Sequence, residues 1–174
     1  MPTSGALKVP AAADVRDAAV RLAGHAVMTP VLESPILNAR VGGRLLVKAE
    51  PLQRSGSFKF RGAFNRMSRF TRPERRNGVV AFSSGNHAQG VALAAKILGI
   101  PAAIVMPEDA PRVKIDNTRA HGAEIVLYDR YKEHRDAIAE ALAAELGATL
   151  VRSYDDFFII AGQGTVGLEL AAQV

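Results

Sequence analysis

Lys59 stands at the start of a predicted helix, where its amine is a candidate nucleophile. The apolar residues after it recur at three- and four-residue spacing, which predicts a helix; they are Phe60, Phe64 and Met67. Ser57 is predicted to cap this helix, because its hydroxyl can accept a hydrogen bond from an unpaired N–H of the first turn. Lys59 then lies at the positive end of the helix dipole, which disfavours an ammonium group. The neutral amine is the form that attacks a carbonyl carbon.

Position alone leaves a second interpretation of Lys59 open. A lysine that projects into solvent from the first turn of a helix costs only about 0.3–1 kcal/mol, so a protein tolerates it without any function. An argument from stability would favour Asp or Glu at this position, because a carboxylate complements the dipole. The surrounding sequence has to decide between a surface lysine and a nucleophile.

A second group of polar residues follows the predicted strand at residues 79–82. Residues 83–90 read SSGNHAQG and lead into the next predicted helix. Ligands of an open parallel sheet bind outside the carboxyl ends of the strands, and N–H groups at a helix N-terminus attract an anion. The segment therefore predicts an anion site, to which two serines and Asn86 add polar side chains. A capped helix without a ligand remains the alternative, and His87 alone indicates a capping or packing residue, because no partner lies at metal-ligand spacing.

The elements that must position these two segments form a regular alternation. Continuous apolar strands are predicted at residues 79–82, 103–106, 124–128 and 149–151. Amphipathic helices are predicted between and after them, through residues 88–98, 111–121 and 131–146. Short, unalternating strands separated by helices indicate a parallel sheet covered by helices on both faces, so the predicted fold class is α/β.

Shorter elements are predicted at the two ends of the chain. Asp14 is predicted to cap a first helix, and Ser34 followed by Pro35 begins a second. Residues 159–174 are predicted to form a loop and then a helix that begins near Gly164. This last helix reaches the end of the sequence without a stop signal, which suggests that the chain is cut inside an element.

Composition narrows the class of function. The chain has 174 residues, no cysteine and a net charge of +5, which excludes disulfides and thiolate metal sites. No apolar run reaches the ~18 residues that span a bilayer, and residues 1–8 lack the apolar region of a secretory signal. A cytoplasmic protein without a membrane partner is therefore predicted. The arginines within residues 66–76 are predicted to form a solvated helix face rather than a nucleic-acid site, because few nearby aromatic side chains could stack on bases.

Both polar segments resemble motifs of one enzyme family. Residues 54–63 (RSGSFKFRGA) resemble the signature of the fold-type II pyridoxal-phosphate enzymes, in the branch of serine/threonine dehydratases and serine racemases. Residues 83–90 are similar to that family's loop containing Ser-Gly-Asn-His. Shorter matches extend the resemblance over nearly the whole chain, from about Asp14 to Leu170; they lie at residues 29–31, 48–50, 154–156 and 161–165. Ser55 stands where the family usually has threonine, and both residues supply a hydroxyl.

The resemblance implies a role for each residue of the two motifs. Lys59 would hold pyridoxal 5'-phosphate covalently and, once released by an incoming amino acid, act as the general base at its α-carbon. Phe58 would pack beside the cofactor ring, and Asn86 would contact the 3-hydroxyl group. The loop residues that would hold the substrate carboxylate are Ser83, Ser84, Gly85, Asn86 and His87. Ser84 is also a candidate catalytic group, because the matching serine of racemase relatives is the acid/base on the opposite face. No metal ligand is predicted.

The implied fold is the parallel α/β fold of the tryptophan synthase β-like enzymes, of which this chain would be an N-terminal half. The predicted divisions are residues 1–52 as part of a large domain, 53–152 as a small α/β domain, and 153–174 as an incomplete return to the large domain. The family's phosphate-binding glycine loop is predicted to lie beyond this chain, because the sequence contains no run of three glycines. A homo-oligomer or a missing C-terminal half is the predicted partner.

The implied activity of the full-length parent is a β-elimination. L-Threonine or L-serine, the small amino-acid partners, would be converted to a 2-oxo acid and ammonia. Ser84 leaves an amino-acid racemase open, because many threonine dehydratases have alanine there. An inactive fragment that serves only as an interaction module is the third possibility.

Overall fold

The structure, a computed structural model, describes residues 9–174. Its strands are β1 (Val31–Glu33), β2 (Leu46–Lys48), β3 (Val79–Phe82), β4 (Ala102–Pro107), β5 (Glu124–Tyr128) and β6 (Thr149–Leu150). Its α-helices are α1 (Ala12–Leu22), α2 (Pro35–Val41), α3 (Lys59–Met67), α4 (Arg72–Asn77), α5 (Asn86–Leu98), α6 (Arg112–Ala120), α7 (Arg135–Leu146) and α8 (Phe157–Gln173). Within this part of the chain, no helix is both long and apolar enough to cross a bilayer.

A four-stranded parallel sheet forms the centre of the fold, in the order β5-β4-β3-β6. The chain runs outward from β3 to β4 and β5, and then returns to place β6 on the other side of β3. The direction of winding therefore reverses beside β3. In open α/β sheets the crevice at such a switch point, outside the carboxyl ends of the strands, is where ligands bind. The four predicted strands and their parallel pairing are confirmed.

Helices cover both faces of this sheet, as the sequence predicts. Ala81 of β3 belongs to one buried core with Phe64 of α3 and Val91 of α5. The preceding residue, Val80, belongs to a second core that includes Ala139 of α7. All four residues of β3 are buried, which explains why its sequence is a continuous apolar run.

Helix α3, which carries Lys59, is held between α5 and α8 by close backbone contacts. A β-carbon built on Gly90 of α5 would lie 3.0 Å from the carbonyl carbon of Lys59. A β-carbon built on Gly162 of α8 would lie 2.6 Å from the carbonyl oxygen of Arg61. The approach at Gly162 leaves no room for a side chain, and a side chain at Gly90 would require the neighbouring backbone to shift by a few tenths of an ångström. The first turn of α3 therefore packs closely against two neighbouring helices.

The predicted lysine helix ends at Met67, and the prediction of its cap is wrong. The helix begins at Lys59, but Phe58 occupies the N-cap position with helical backbone angles (φ −60°, ψ −14°) and makes no side-chain cap. The Ser57 hydroxyl is buried and has no hydrogen-bond partner among residues 9–174. A new helix, α4, starts after Thr71, whose N–H donates to the Glu74 carboxylate at 2.7 Å. This capping box starts a second helix, which explains the break.

The last helix begins at Phe157 and not near Gly164, so the prediction of a loop there is wrong. The Asp156 carboxylate caps α8 by accepting hydrogen bonds, at 2.8 and 2.9 Å, from two N–H groups of its first turn. The glycines that suggested a loop lie inside the helix. Gly162 is needed for the crossing with α3 and does not break the helix, which continues through it to Gln173.

Two other predicted helix starts are also wrong. Ala11 is the N-cap of α1, and Asp14 lies in the first turn, where its carboxylate accepts a hydrogen bond from the Ala11 N–H at 2.8 Å. Helix α7 begins at Arg135 and not at Tyr131, whose side chain is 85% exposed. The Asp129 carboxylate accounts for the later start, because it accepts from the Tyr131 N–H at 2.9 Å and holds this segment in a turn.

Strands β1 and β2 form a separate antiparallel pair. Leu32 and Val47 lie opposite each other in this pair, and about half of each side chain is exposed. A two-stranded sheet is marginally stable by itself in water, because its apolar face has too little to pack against. Residues beyond the pair therefore have to contribute to its stability.

Candidate active site

The amine of Lys59 lies beside the segment that follows β6, at the carboxyl edge of the parallel sheet. Its Nζ donates a hydrogen bond to the backbone carbonyl of Ser153 at 2.8 Å and lies 5.3 Å from the centre of the Phe58 ring. Partial burial lowers the pKa of Lys59 from its ordinary value, because loss of solvent disfavours the charged form. The amine is therefore biased toward the nucleophilic state, and desolvation is a cause that the sequence argument did not include.

The loop after β3 is held by hydrogen bonds at its first residue. The Ser83 N–H donates to the carbonyl of Val105 in β4 at 3.0 Å, and the Ser83 hydroxyl accepts from the N–H of Gly85 at 3.1 Å. Ser84 is exposed at the surface of this loop. The loop thus has a fixed backbone and presents one exposed hydroxyl at the switch point of the sheet.

Three backbone N–H groups of this loop make no hydrogen bond to another residue of the described chain. They belong to Ser84, Asn86 and His87. They lie at the N-terminus of α5, a 13-residue helix, where unpaired N–H groups and the helix dipole together attract an anion. The arrangement fits the carboxylate-binding role that the sequence predicts for this loop.

His87 joins the loop to the segment that binds Lys59. Its imidazole is 3% exposed, and its Nε2 lies 3.1 Å from the carbonyl oxygen of Val151. A carbonyl can only accept, so Nε2 carries the proton, and burial lowers the pKa of His87 to about 4. The neutral ring is therefore an anchoring group. Val151 and Ser153 receive hydrogen bonds from the loop and from Lys59 respectively, which brings the two motifs together at one edge of the sheet.

Lys114 contacts the loop, although nothing in the sequence analysis identified it. Its Nζ donates to Oδ1 of Asn86 at 2.7 Å. Its aliphatic carbons pass over Gly85, 3.8 and 3.9 Å from the position that a β-carbon would take there. No motif marks Lys114, because the contact exists only once α6 has packed beside α5.

A buried ionic cluster lies behind the lysine, two residues further along α3. Arg61, 1% exposed, donates to Glu50 at 2.8 and 2.9 Å and to Glu169 of α8 at 2.7 and 2.9 Å. Lys48 also pairs with Glu169, at 2.7 Å. Arg61 and Glu50 lie within segments that match the family, but no sequence pattern predicts that they pair. The cluster fixes the rotation of α3 and hence the direction of its first turn.

Comparison with known proteins assigns the chain to a family. Residues 22–174 match the pyridoxal-phosphate dependent enzymes. The chain belongs to that family. One relative, the L-threo-3-hydroxyaspartate ammonia-lyase of Pseudomonas sp, is 56% identical over 157 residues, which make up 90% of this chain and 49% of the relative.

Solved structures of this family share the fold. Maize serine racemase superposes with a TM-score of 0.92 at 41% identity, covering 96% of this chain and 51% of that protein. The threonine deaminase of T.th. gives a TM-score of 0.85 at 48% identity, covering 94% of this chain and 52% of that protein. The predicted family and α/β fold are confirmed, and the chain spans about half the length of these relatives.

The residues of the crevice fit the cofactor of this family. An aldehyde requires an amine, and Lys59 provides one whose pKa is lowered by burial. A planar ring requires an apolar surface and a polar partner for its oxygen; the Phe58 ring is 38% exposed, and the Asn86 amide nitrogen makes no hydrogen bond to another described residue. Pyridoxal phosphate, predicted from the sequence, is confirmed as the cofactor of the family. The individual roles of Phe58, Lys59 and Asn86 remain predictions.

Proposed function

We propose that the complete protein containing this chain eliminates water from a 3-hydroxy amino acid, such as L-threonine or L-serine, and that hydrolysis of the product releases ammonia and a 2-oxo acid. The observation that supports this most directly is the junction at residues 151–153, where the Lys59 amine and the loop after β3 bind the same backbone segment. The names of two relatives, an ammonia-lyase and a threonine deaminase, support the same class of reaction.

Each group at the crevice has a task in this proposal. When bound, the cofactor supplies an aldehyde for an amine and an electron sink for the substrate's α-carbon. Lys59 would hold the cofactor through its neutral amine, and its Nζ would take the proton from the α-carbon of a bound amino acid. The unpaired N–H groups of Ser84, Asn86 and His87 hold the substrate carboxylate and so orient the Cα–H bond. The β-hydroxyl leaves as water, and hydrolysis of the resulting enamine gives ammonia and the 2-oxo acid.

Racemisation is the alternative that Ser84 supports. Its exposed hydroxyl could exchange a proton on the face of the α-carbon opposite Lys59, and maize serine racemase is among the proteins that share this fold. Chiral analysis of L-serine incubated with the complete protein separates the two activities. Formation of D-serine faster than pyruvate would favour the racemase.

Lys59→Ala tests the proposed function. We expect the visible absorption of lysine-bound cofactor to disappear and ammonia release from L-threonine to fall by at least about 100-fold, the lower range for loss of a general base. The matched control is Lys132→Ala, since the Lys132 side chain is 81% exposed. An unchanged rate in Lys59→Ala would remove this residue from the mechanism.

The 174-residue chain by itself is expected to retain the cofactor weakly or not at all, because it contains no run of three glycines. Tight stoichiometric binding would contradict this expectation.

A dicarboxylic hydroxy amino acid is a second candidate substrate, and Arg135 favours it. The Arg135 guanidinium lies 5.1 Å from the centre of the Phe82 ring, and Phe82 immediately precedes the loop. Its Nε also lies 3.4 Å from a carboxylate oxygen of Asp136, with which a substrate carboxylate would compete. A guanidinium at this edge can bind a second carboxylate, which the substrate named for the Pseudomonas relative possesses. In Arg135→Met we expect the rate with L-threo-3-hydroxyaspartate to fall about tenfold or more relative to the rate with L-threonine, as for a lost charged hydrogen bond. Equal losses on both substrates, measured beside the surface control Arg130→Met, would exclude this role.

Three broader features are part of the same proposal. The division of the chain into part of a large domain (residues 1–52), a small α/β domain (53–152) and an incomplete return to the large domain (153–174) remains a prediction. We further propose that the exposed apolar pair of β1 and β2 is covered by another part of the complete protein or by a second subunit, because such a pair is marginal alone. A cytoplasmic location is proposed from the sequence and is tested by fractionation of cells.

A further inference from the structure

We infer that Lys114 is a positioning residue, which holds the Asn86 side chain so that its NH₂ group, and not its carbonyl oxygen, faces the cofactor's 3-oxygen. This inference rests on the proposed function and on the contact between the Asn86 side chain and the 3-oxygen that the sequence resemblance implies. Lys114 itself belongs to neither matching motif. Its contribution follows from the donor chemistry of one hydrogen bond.

The contact between Lys114 and Asn86 fixes the orientation of the Asn86 side-chain amide, with its oxygen toward Lys114. A lysine ammonium has three donors and no acceptor, so the atom 2.7 Å from Nζ has to be the carbonyl oxygen Oδ1. The reversed amide would place two N–H donors against the ammonium and lose the bond. The usual two-fold ambiguity of an asparagine side chain is therefore removed here.

The other end of the amide is available to a ligand. Nδ2 of Asn86 makes no hydrogen bond to any residue between 9 and 174, and a primary amide nitrogen can only donate. Asn86 thus offers a donor to whatever occupies the crevice. A donor beside a phenolic oxygen stabilises its ionised form, whereas an acceptor would stabilise the protonated form.

The position of Lys114 is itself fixed by packing between α5 and α6. The amide of Asn117 donates to Oε1 of Gln89 at 3.2 Å, which joins the two helices about one turn beyond Asn86. The Thr118 hydroxyl donates to the carbonyl of Lys114 at 2.7 Å. The lysine stem lies over Gly85, so its ammonium reaches Asn86 along a defined path. Its positive charge, one amide away from the proposed oxygen, adds to the stabilisation of the anion.

The first test needs no cofactor. The side-chain NH₂ protons of Asn86 are followed by NMR in the 174-residue chain and in Lys114→Met, Lys114→Arg and Lys132→Met. Lys114→Met is expected to shift and broaden these two signals, because the amide is free to rotate. Lys114→Arg keeps a donor and is expected to preserve them, as is the control Lys132→Met. Unchanged signals in Lys114→Met would overturn the inference.

The second test reads the ionisation of the bound cofactor in the complete protein. The ratio of the long-wavelength band of the ionised 3-oxygen to the short-wavelength band of the protonated form is measured at fixed pH. We expect Lys114→Met to lower this ratio roughly tenfold, the effect of one pKa unit, and Lys114→Arg to restore most of it. Equal ratios in all variants would overturn the role of Lys114. A wild-type protein without any Lys59-dependent band would instead overturn the proposed function, while the NMR result would still decide how Asn86 is held.

Discussion

His87 couples the candidate active site to the stability of the fold through its protonation state. Its ring is buried, donates to the Val151 carbonyl and has a pKa lowered to about 4 by burial. In the unfolded chain the same side chain titrates near about 6.5. Between these two values the unfolded state binds a proton that the folded state does not, so the free energy of unfolding falls as the pH is lowered through this window.

This linkage predicts a pH dependence that His87→Gln removes. The wild-type chain is expected to lose about 3 kcal/mol more unfolding free energy than His87→Gln between pH 7 and pH 4, from a pKa difference of about 2.5 units. Glutamine retains an N–H donor for Val151, so the variant should fold. Urea unfolding at the two pH values gives the measurement, with exposed His134→Gln as the control. Identical pH dependence in wild type and His87→Gln would contradict the assignment.

Single residues were predictable from sequence where their chemistry is local. Lys59 and the loop after β3 could be identified because a helix start and a strand end have recognisable patterns. Ser153 and Lys114 could not, because each acts on a group far away in the sequence, and a backbone carbonyl or a surface lysine has no distinctive pattern. Ser57 was assigned a cap that the structure does not show, since Phe58 takes the N-cap position.

The crossing of α3 and α8 depends on Gly162, which has no side chain. A β-carbon on Gly162 would meet the Arg61 carbonyl oxygen at 2.6 Å and the α-carbon of Gly62 at 2.8 Å. Both atoms belong to backbone, so neither can move without separating the helices. By contrast, a β-carbon on Gly167, on the same helix, would meet nothing within 4 Å in the described part of the chain beyond its own stretch of helix.

Alanine at these two glycines should therefore have opposite effects. Gly162→Ala is expected to destabilise the chain by about 1–3 kcal/mol or more, because it overpacks the crossing. Gly167→Ala is expected to stabilise it by up to about 1 kcal/mol, because alanine is the better helix former. Urea midpoints of the two variants, compared with wild type, provide the measurement. A neutral Gly162→Ala would mean that the crossing has room that the structure does not show.

Strands were predicted well because each is a short run of mainly apolar residues, and β3 and β4 are buried on both faces. The strands of the parallel sheet form continuous apolar runs between polar turns, and each was located within a residue or two. The sequence predicts a loop in the first part of α8 because its internal glycines, which permit the crossing with α3, are typical of loops. The start that Asp156 gives this helix was overlooked for the same reason. Packing between helices, which sequence periodicity does not report, accounts for the glycines, whereas the Asp156 cap is a local contact.

At the scale of the whole molecule, the Arg61 cluster holds distant parts of the chain together. It joins α3 to Glu50 near β2 and to Glu169 in α8. Removing one partner of a buried ion pair leaves an uncompensated charge, which costs far more than the pair itself contributes. The cluster is therefore a point at which a single change affects the entire fold.

Arg61→Met is predicted to destabilise the chain by about 3–5 kcal/mol, because the Glu50 carboxylate is left buried without its cation. Arg44→Met, which removes an ion pair whose arginine is 70% exposed, is the matched control and should leave stability nearly unchanged, because solvent screens an exposed pair. Thermal or urea unfolding of both variants gives the comparison. Similar small losses in the two would show that Arg61 does not hold these elements together as its contacts indicate.

The glycines around α3 also limit how such a protein can diversify. Side chains at Gly62, Gly90 or Gly162 would run into the backbone of a neighbouring helix, so no single substitution there can re-aim the amine of Lys59 and leave the packing intact. Variants selected for new substrates should consequently carry their changes in the loops after β3 and β6. The Lys59 amine would keep its position while the loop residues around the substrate change.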